Sequence, residues 1–149
     1  MRKLLDSHSE NHEHNKHEHI DIITVKGLKF RYSKKDKVIL NDINISIFRG
    51  EFTTIIGPNG SGKSTLIKAI VGAHKPFEGS VQVNGQFLSP KDFAKEVAYI
   101  PQMIEIPNGL TVRDFVSFGR TPYLGLFGKM SKKDHELVEE AMKTMGVLD

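Results

Sequence analysis

No cysteine occurs among the 149 residues, which excludes disulfides and thiolate metal sites and agrees with a reducing compartment. Long apolar runs are missing too: none approaches the roughly 18 residues that a membrane-spanning helix needs. The apolar part of Met1-Arg2-Lys3-Leu4-Leu5 is too short for a signal peptide, so the expected location is the cytoplasm. Neither sign of charge dominates, with 21 Lys and Arg against 18 Asp and Glu. The formal net charge is +3 and Lys and Arg form no dense stripe, which argues against a nucleic-acid partner. What remains, 38% hydrophobic and 26% charged residues, is the composition of a globular chain with material for a core. The length suits one domain or part of one.

Residues 6–19 carry no apolar side chain at all, and such a stretch cannot bury enough surface to offset its ordering entropy. Residues 1–19 therefore read as a disordered tail. Its histidines His12, His14, His17 and His19 are candidate ligands for a transition metal when neutral. Across residues 6–19, four carboxylates against Lys16 give a charge of −3, and protonating all five histidines there turns it to +2. Any zinc affinity that calorimetry finds at pH 7.5 is expected to be lost below about pH 6; the alternative is a solvated low-complexity tail. No heat of binding at pH 7.5 would decide for that alternative.

The most informative stretch is Gly57-Pro58-Asn59-Gly60-Ser61-Gly62-Lys63-Ser64-Thr65. It lies between an apolar run at 52–56 and the helical pattern Leu66-Ile67-Lys68-Ala69-Ile70-Val71. A polyphosphate needs several backbone N–H groups aimed at it together, and glycines let the chain wrap closely enough to supply them. The helix beginning near Lys63 adds unpaired amides and the positive end of its dipole. In this pattern Lys63 reaches the β- and γ-phosphates and the Ser64 hydroxyl binds Mg²⁺. The bare pattern arises by chance in roughly half a per cent of chains this long. Strand and helix flanks together make it far more specific.

The remaining elements follow from periodicity and punctuation. Strands are expected at 22–25 and 28–32, then over 38–40 and along Ile43, Ile45 and Ile47, as antiparallel pairs beside the nucleotide core. The unalternating run 52–56 reads as a strand buried on both faces of a parallel sheet. Gly72 is a helix C-cap, and residues 79–85 form a strand closed by Asn84-Gly85. Ser89, Pro90 and Asp92 open a short helix reaching about Lys95. Residues 97–100 read as another strand. Thr111 with Asp114, and Ser131 with Asp134, match capping boxes. In the second of those helices Leu137, Val138, Ala141, Met142 and Met145 form a core stripe, ended by Gly146.

Four features together resemble the ATP-binding subunits of ABC transporters: Tyr32, the Gly57-to-Thr65 loop, the strand and turn at 79–85, and Tyr99-Ile100-Pro101-Gln102. The resemblance covers residues 20–149. It implies an α/β fold, a P-loop NTPase core with a parallel sheet plus an N-terminal antiparallel β subdomain, incomplete here. It also implies ATP with adenine stacked on Tyr32, triphosphate in the loop, and Gln102 touching Mg²⁺ or the attacking water. Lys63 and Gln102 are then the catalytic candidates, and Ser64 and Gln102 the Mg²⁺ ligands. Implied partners are a membrane-spanning permease and a second ATP-binding subunit in a homodimer, at the inner face of the cell membrane. Gly109-Leu110-Thr111-Val112-Arg113-Asp114 and Gly119-Arg120-Thr121-Pro122-Tyr123-Leu124-Gly125 look like the subgroup importing iron chelates such as siderophores, haem and cobalamin. A zinc and manganese importer subgroup is the alternative.

The family's Leu-Ser-Gly-Gly-Gln signature, its acidic strand end with the catalytic glutamate, and its switch histidine have no counterpart in these residues. Neither His74 nor His135 stands in the switch context. The expectation is the first part of a nucleotide-binding domain, inactive in turnover alone. A nucleotide-binding fragment or regulator is the competing class. A P-loop GTPase is disfavoured because no Asn-Lys-x-Asp motif appears.

Overall fold

The computed structural model describes residues 20–104, 106–125 and 127–148. The histidine-rich tail and Glu105 lie outside them.

Three strands, β1 (Asp21–Phe30), β2 (Leu40–Phe48) and β3 (Glu78–Val83), form an antiparallel sheet in the order β2-β1-β3. The two strands expected at 22–25 and 28–32 are one strand with an irregularity at Gly27, and Tyr32 lies just past its end. That irregularity decides which side chains are buried. With strict alternation Val25 would share its face with residues 27 and 29. The pairing shifts between Val25 and Leu28 on one side and between Lys26 and Lys29 on the other, so Leu28 and Phe30 join Val25 in the core instead. The Gly27 amide that the shift diverts from the ladder donates to Asn44 Oδ1 at 2.8 Å.

Helix α1 (Lys63–Ile70) covers this face, placing Leu66, Ala69 and Ile70 against Val25, Leu28, Phe30 and Leu40. Eight residues are too few for a stable helix in water, where about 12–15 are needed, so α1 owes its existence to this packing. Burying Leu28, which is fully enclosed, contributes about 1.5–3 kcal/mol. After α1 the chain crosses to β3, which hugs β1 so closely that a Cβ on Gly79 would collide with the Gly27 carbonyl oxygen and the Leu28 Cα. Only glycine passes there. Asn84 and Gly85, both at positive φ, make the hairpin turn that returns Gln86 to Val83.

Helices α2 (Pro90–Glu96), α3 (Val112–Ser117) and α4 (Lys132–Thr144) follow, with a 3-10 turn at Phe118–Tyr123 between α3 and α4. Ser89 caps α2, and both capping boxes form as read, Thr111 with Asp114 and Ser131 with Asp134. Gly146 closes α4: its own amide and that of Val147 return to the carbonyls of Lys143 and Met142.

The sequence expectations are corrected at three places. Residues 52–56 form no strand, and Phe52 and Ile56 are 96% and 89% exposed. A strand buried on both faces needs neighbours, and every described strand pairs elsewhere; only Ile55 rests against the core. The same holds for 97–100, where Ile100 is exposed. The parallel sheet is therefore not formed among the described residues, while the antiparallel sheet is. On α4, Val138 and Met142 are buried and Leu137 half-buried, but Ala141 and Met145 face solvent, so the stripe is narrower than read.

Candidate phosphate and base site

The loop from Gly57 to Gly62 runs exposed into the start of α1. Gly62 is the N-cap, at φ 94° and ψ 7°, a left-handed conformation that turns the backbone into the helix. A Cβ there would stand 3.3 Å from Ile39 Cγ2 and 3.4 Å from Leu40 Cδ2, close enough that those side chains would have to give way slightly. Thus Ile39 and the first residue of β2 lie next to the loop at the residue that must bend. No side chain caps α1, which leaves its first amides for a ligand.

Lys63 folds back over the loop it follows. Its Nζ donates to the carbonyls of Gly57 and Pro58, each at 2.7 Å. Two of three ammonium donors are so used and the third is left for an anion. Ser64 is exposed beside it in the first turn, while Thr65 is buried.

Tyr32 stands close by. Its hydroxyl lies 3.4 Å from Thr65 Oγ1, and the residue is 62% exposed. The ring is edge-on to Phe30 at 5.1 Å and to His74 at 5.4 Å. The glycine-rich loop and an exposed aromatic ring are thus tied together through the first turn of α1. Residues 40–149, which include this loop, match the ABC transporter family.

The chain belongs to that family. Among relatives of this ABC transporter chain, the iron(3+)-hydroxamate import ATP-binding protein FhuC of Bacillus subtilis is 42% identical over 117 residues, covering 76% of this chain and 44% of the relative. The probable siderophore transport system ATP-binding protein YusV of the same species is 42% identical over 130 residues, covering 85% and 46%. The chain spans about half the length of the curated relatives it matches. Among solved structures, the ATP-binding subunit of an ABC transporter superposes with a TM-score of 0.67 at 29% identity, covering 85% of this chain and 51% of that one. A dimeric ATP-binding cassette bound to ADP and Pi gives 0.64 at 26%, covering 83% and 57%.

Within this ABC domain the structure brings Tyr32, Lys63, Ser64 and Thr65 together around the start of α1. Gln102 lies exposed at a bend after α2, with no hydrogen bond to the loop among the described residues. The residues before it, 97–100, are not a strand among the described residues. For Mg²⁺ the fit is through oxygen: the Ser64 hydroxyl suits a hard cation that shares its shell with phosphates. Among the described residues no three His, Asp or Glu form a cage of their own.

The segment resembling iron-chelate importers does structural work. Arg120 binds Asp134 Oδ1 through Nε and Nη2, each at 2.9 Å, and lies 4.0 Å over the Tyr123 ring. The Tyr123 hydroxyl donates to the Lys95 carbonyl, and Lys91 Nζ to that of Leu124. Hydrogen bonds from the Ser131 hydroxyl and amide, then from Arg120, hold the Asp134 carboxyl well below the usual carboxylate range, at about 2. One short segment so joins α2 and α4.

The sequence reading gave His74 no place in the site. It packs 5.0 Å from Phe30 with ring planes 9° apart, as well as against Tyr32. No local signal marks it, because its partners lie more than 40 positions upstream.

Proposed function

We propose that this chain binds MgATP, with the triphosphate in the Gly57-to-Thr65 loop and adenine on Tyr32, as part of an ATPase subunit that energises uptake of an iron chelate. The observation that carries the nucleotide reading is the joint placement of the loop, the Lys63 ammonium and the exposed Tyr32 ring around one helix start. In this reading Lys63 moves from the Gly57 and Pro58 carbonyls to phosphate oxygens, a charge-assisted exchange. Amides 62–65 and the dipole of α1 hold the negative charge, and Ser64 is the protein's ligand to Mg²⁺. That cation neutralises charge on the transferring phosphoryl group when bound. Gln102 would serve beside them, touching Mg²⁺ or the attacking water.

Support for the transport role comes from relatives whose names specify import of iron(3+)-hydroxamate and siderophore transport. A permease and a second ATP-binding subunit are the partners this role requires, at the cytoplasmic face of a membrane. No described helix is long and apolar enough to cross one.

Tyr32→Ala tests the base platform. Loss of stacking is expected to weaken MgATP by about tenfold while leaving magnesium tripolyphosphate within about twofold, as measured by titration calorimetry. Equal weakening of both ligands would remove adenine stacking from the proposal.

A further inference from the structure

We infer that His74 is a positioning residue for the purine base: it sets the plane of Tyr32 relative to the phosphate loop. The inference rests on the reading of Tyr32 as the base platform and adds the device that orients it.

Three contacts carry it. The His74 ring lies parallel to Phe30, 5.0 Å away at 9°, and perpendicular to Tyr32, 5.4 Å away at 84°. Phe30 itself meets Tyr32 at 86°. Two parallel rings thus present themselves to the same tyrosine, so Tyr32 is confined by aromatic geometry on one side and open on the other. Edge-to-face contacts have a preferred angle as well as a distance, because the positive ring edge seeks the negative face. An aliphatic side chain of the same size would fill the space without fixing the angle.

His74 is in turn fixed to α1. Its backbone amide donates to the Lys68 carbonyl at 3.0 Å, in the last turn of the helix. At the other end of α1, Thr65 meets the Tyr32 hydroxyl. The base platform is therefore referred to the helix that opens the phosphate cradle at both ends of that helix. A base and a triphosphate are covalently joined at fixed reach, so holding their two sites in register raises affinity for the joined ligand alone.

The orientation of the imidazole is also set. Nδ1 lies 3.2 Å from the Ala73 carbonyl oxygen, which only accepts, so Nδ1 carries the proton in that contact. Nε2 is enclosed and has no hydrogen-bond partner among the described residues. A buried polar atom without a partner is uncommon and costly. Here the ring is kept as a flat stacking surface, and the polar atom is what that use leaves over.

The experiment compares His74→Phe, His74→Leu and Tyr32→Ala with the unaltered chain, using MgATP and magnesium tripolyphosphate as separate probes. His74→Leu is expected to weaken MgATP about fivefold with tripolyphosphate held within about twofold, and His74→Phe to bind both like the unaltered chain. Equal weakening by Leu and Phe, no weakening by Leu, or loss of both probes would overturn the positioning role. Loss in Tyr32→Ala without loss in His74→Leu would overturn it too, and leave the platform standing. If the unaltered chain shows no preference of MgATP over tripolyphosphate, the platform fails and the inference with it.

Discussion

Lys63→Ala is expected to abolish detectable MgATP binding, a loss of at least about a hundredfold. The Nζ already bridges the Gly57 and Pro58 carbonyls at 2.7 Å, so it neutralises the mouth of the loop and supplies its mobile cation. Charge-assisted hydrogen bonds to phosphate are among the stronger single contacts, and one alanine removes all that this ammonium makes. Magnesium tripolyphosphate should be lost in parallel, because Lys63 sees phosphate and not base. Lys63→Arg should restore little, since a planar fork does not fit between two carbonyls placed for an ammonium. Calorimetric titration decides it: binding by Lys63→Ala like that of the unaltered chain would remove the central assignment.

The second large effect concerns turnover. Residues 1–149 purified alone are expected to release phosphate from MgATP no faster than the Lys63→Ala variant. A cradle positions phosphates, but phosphoryl transfer also needs a group that orients water and charge beyond the γ-phosphate. Gly57 to Ser61 are exposed, so the outer side of the loop faces solvent. Glu51, Glu78, Glu96 and Glu105 were the carboxylates available in the sequence; Glu78 is engaged with Lys29 at 3.0 Å and Glu96 ends α2. The exposed Phe52, Ile56, Ile100, Met103 and Ile104 also expect a cover, and self-association at high concentration is the anticipated symptom. Mg²⁺-dependent phosphate release from a soluble sample, abolished by Lys63→Ala, would show these residues to be a complete enzyme.

What could be read in advance was whatever a few consecutive residues decide. Ser89-Pro90-Lys91-Asp92, the boxes at Thr111 and Ser131 and the Asn84-Gly85 turn all satisfy their own backbone groups locally, and all are found as read. Residues 52–56 and 97–100 were misread because a buried strand is a property of its neighbours. An apolar run states a demand for burial without saying what meets it. Ala141 and Met145 fell outside the core for a related reason: helical spacing shows which residues share a face, and the packing partner sets how wide a face is covered. His74 was invisible because its meaning lies in Phe30 and Tyr32, which only the folded sheet brings to the end of α1.

The register shift in β1 lets that strand be treated as a lever. Its fulcrum is at Gly27, where β3 leaves no clearance over Gly79, and its arm reaches Phe30, about 10 Å on at about 3.3 Å per residue. A tilt of about 5° at the fulcrum would carry Phe30 about 0.9 Å sideways over that arm, and the ring stack of His74 and Tyr32 rides on it. A displacement of that size is what separates a productive pose from a poor one. On the reading of Tyr32 as the base platform, a substitution at Gly79 is therefore expected to reach the base through β1 and Phe30.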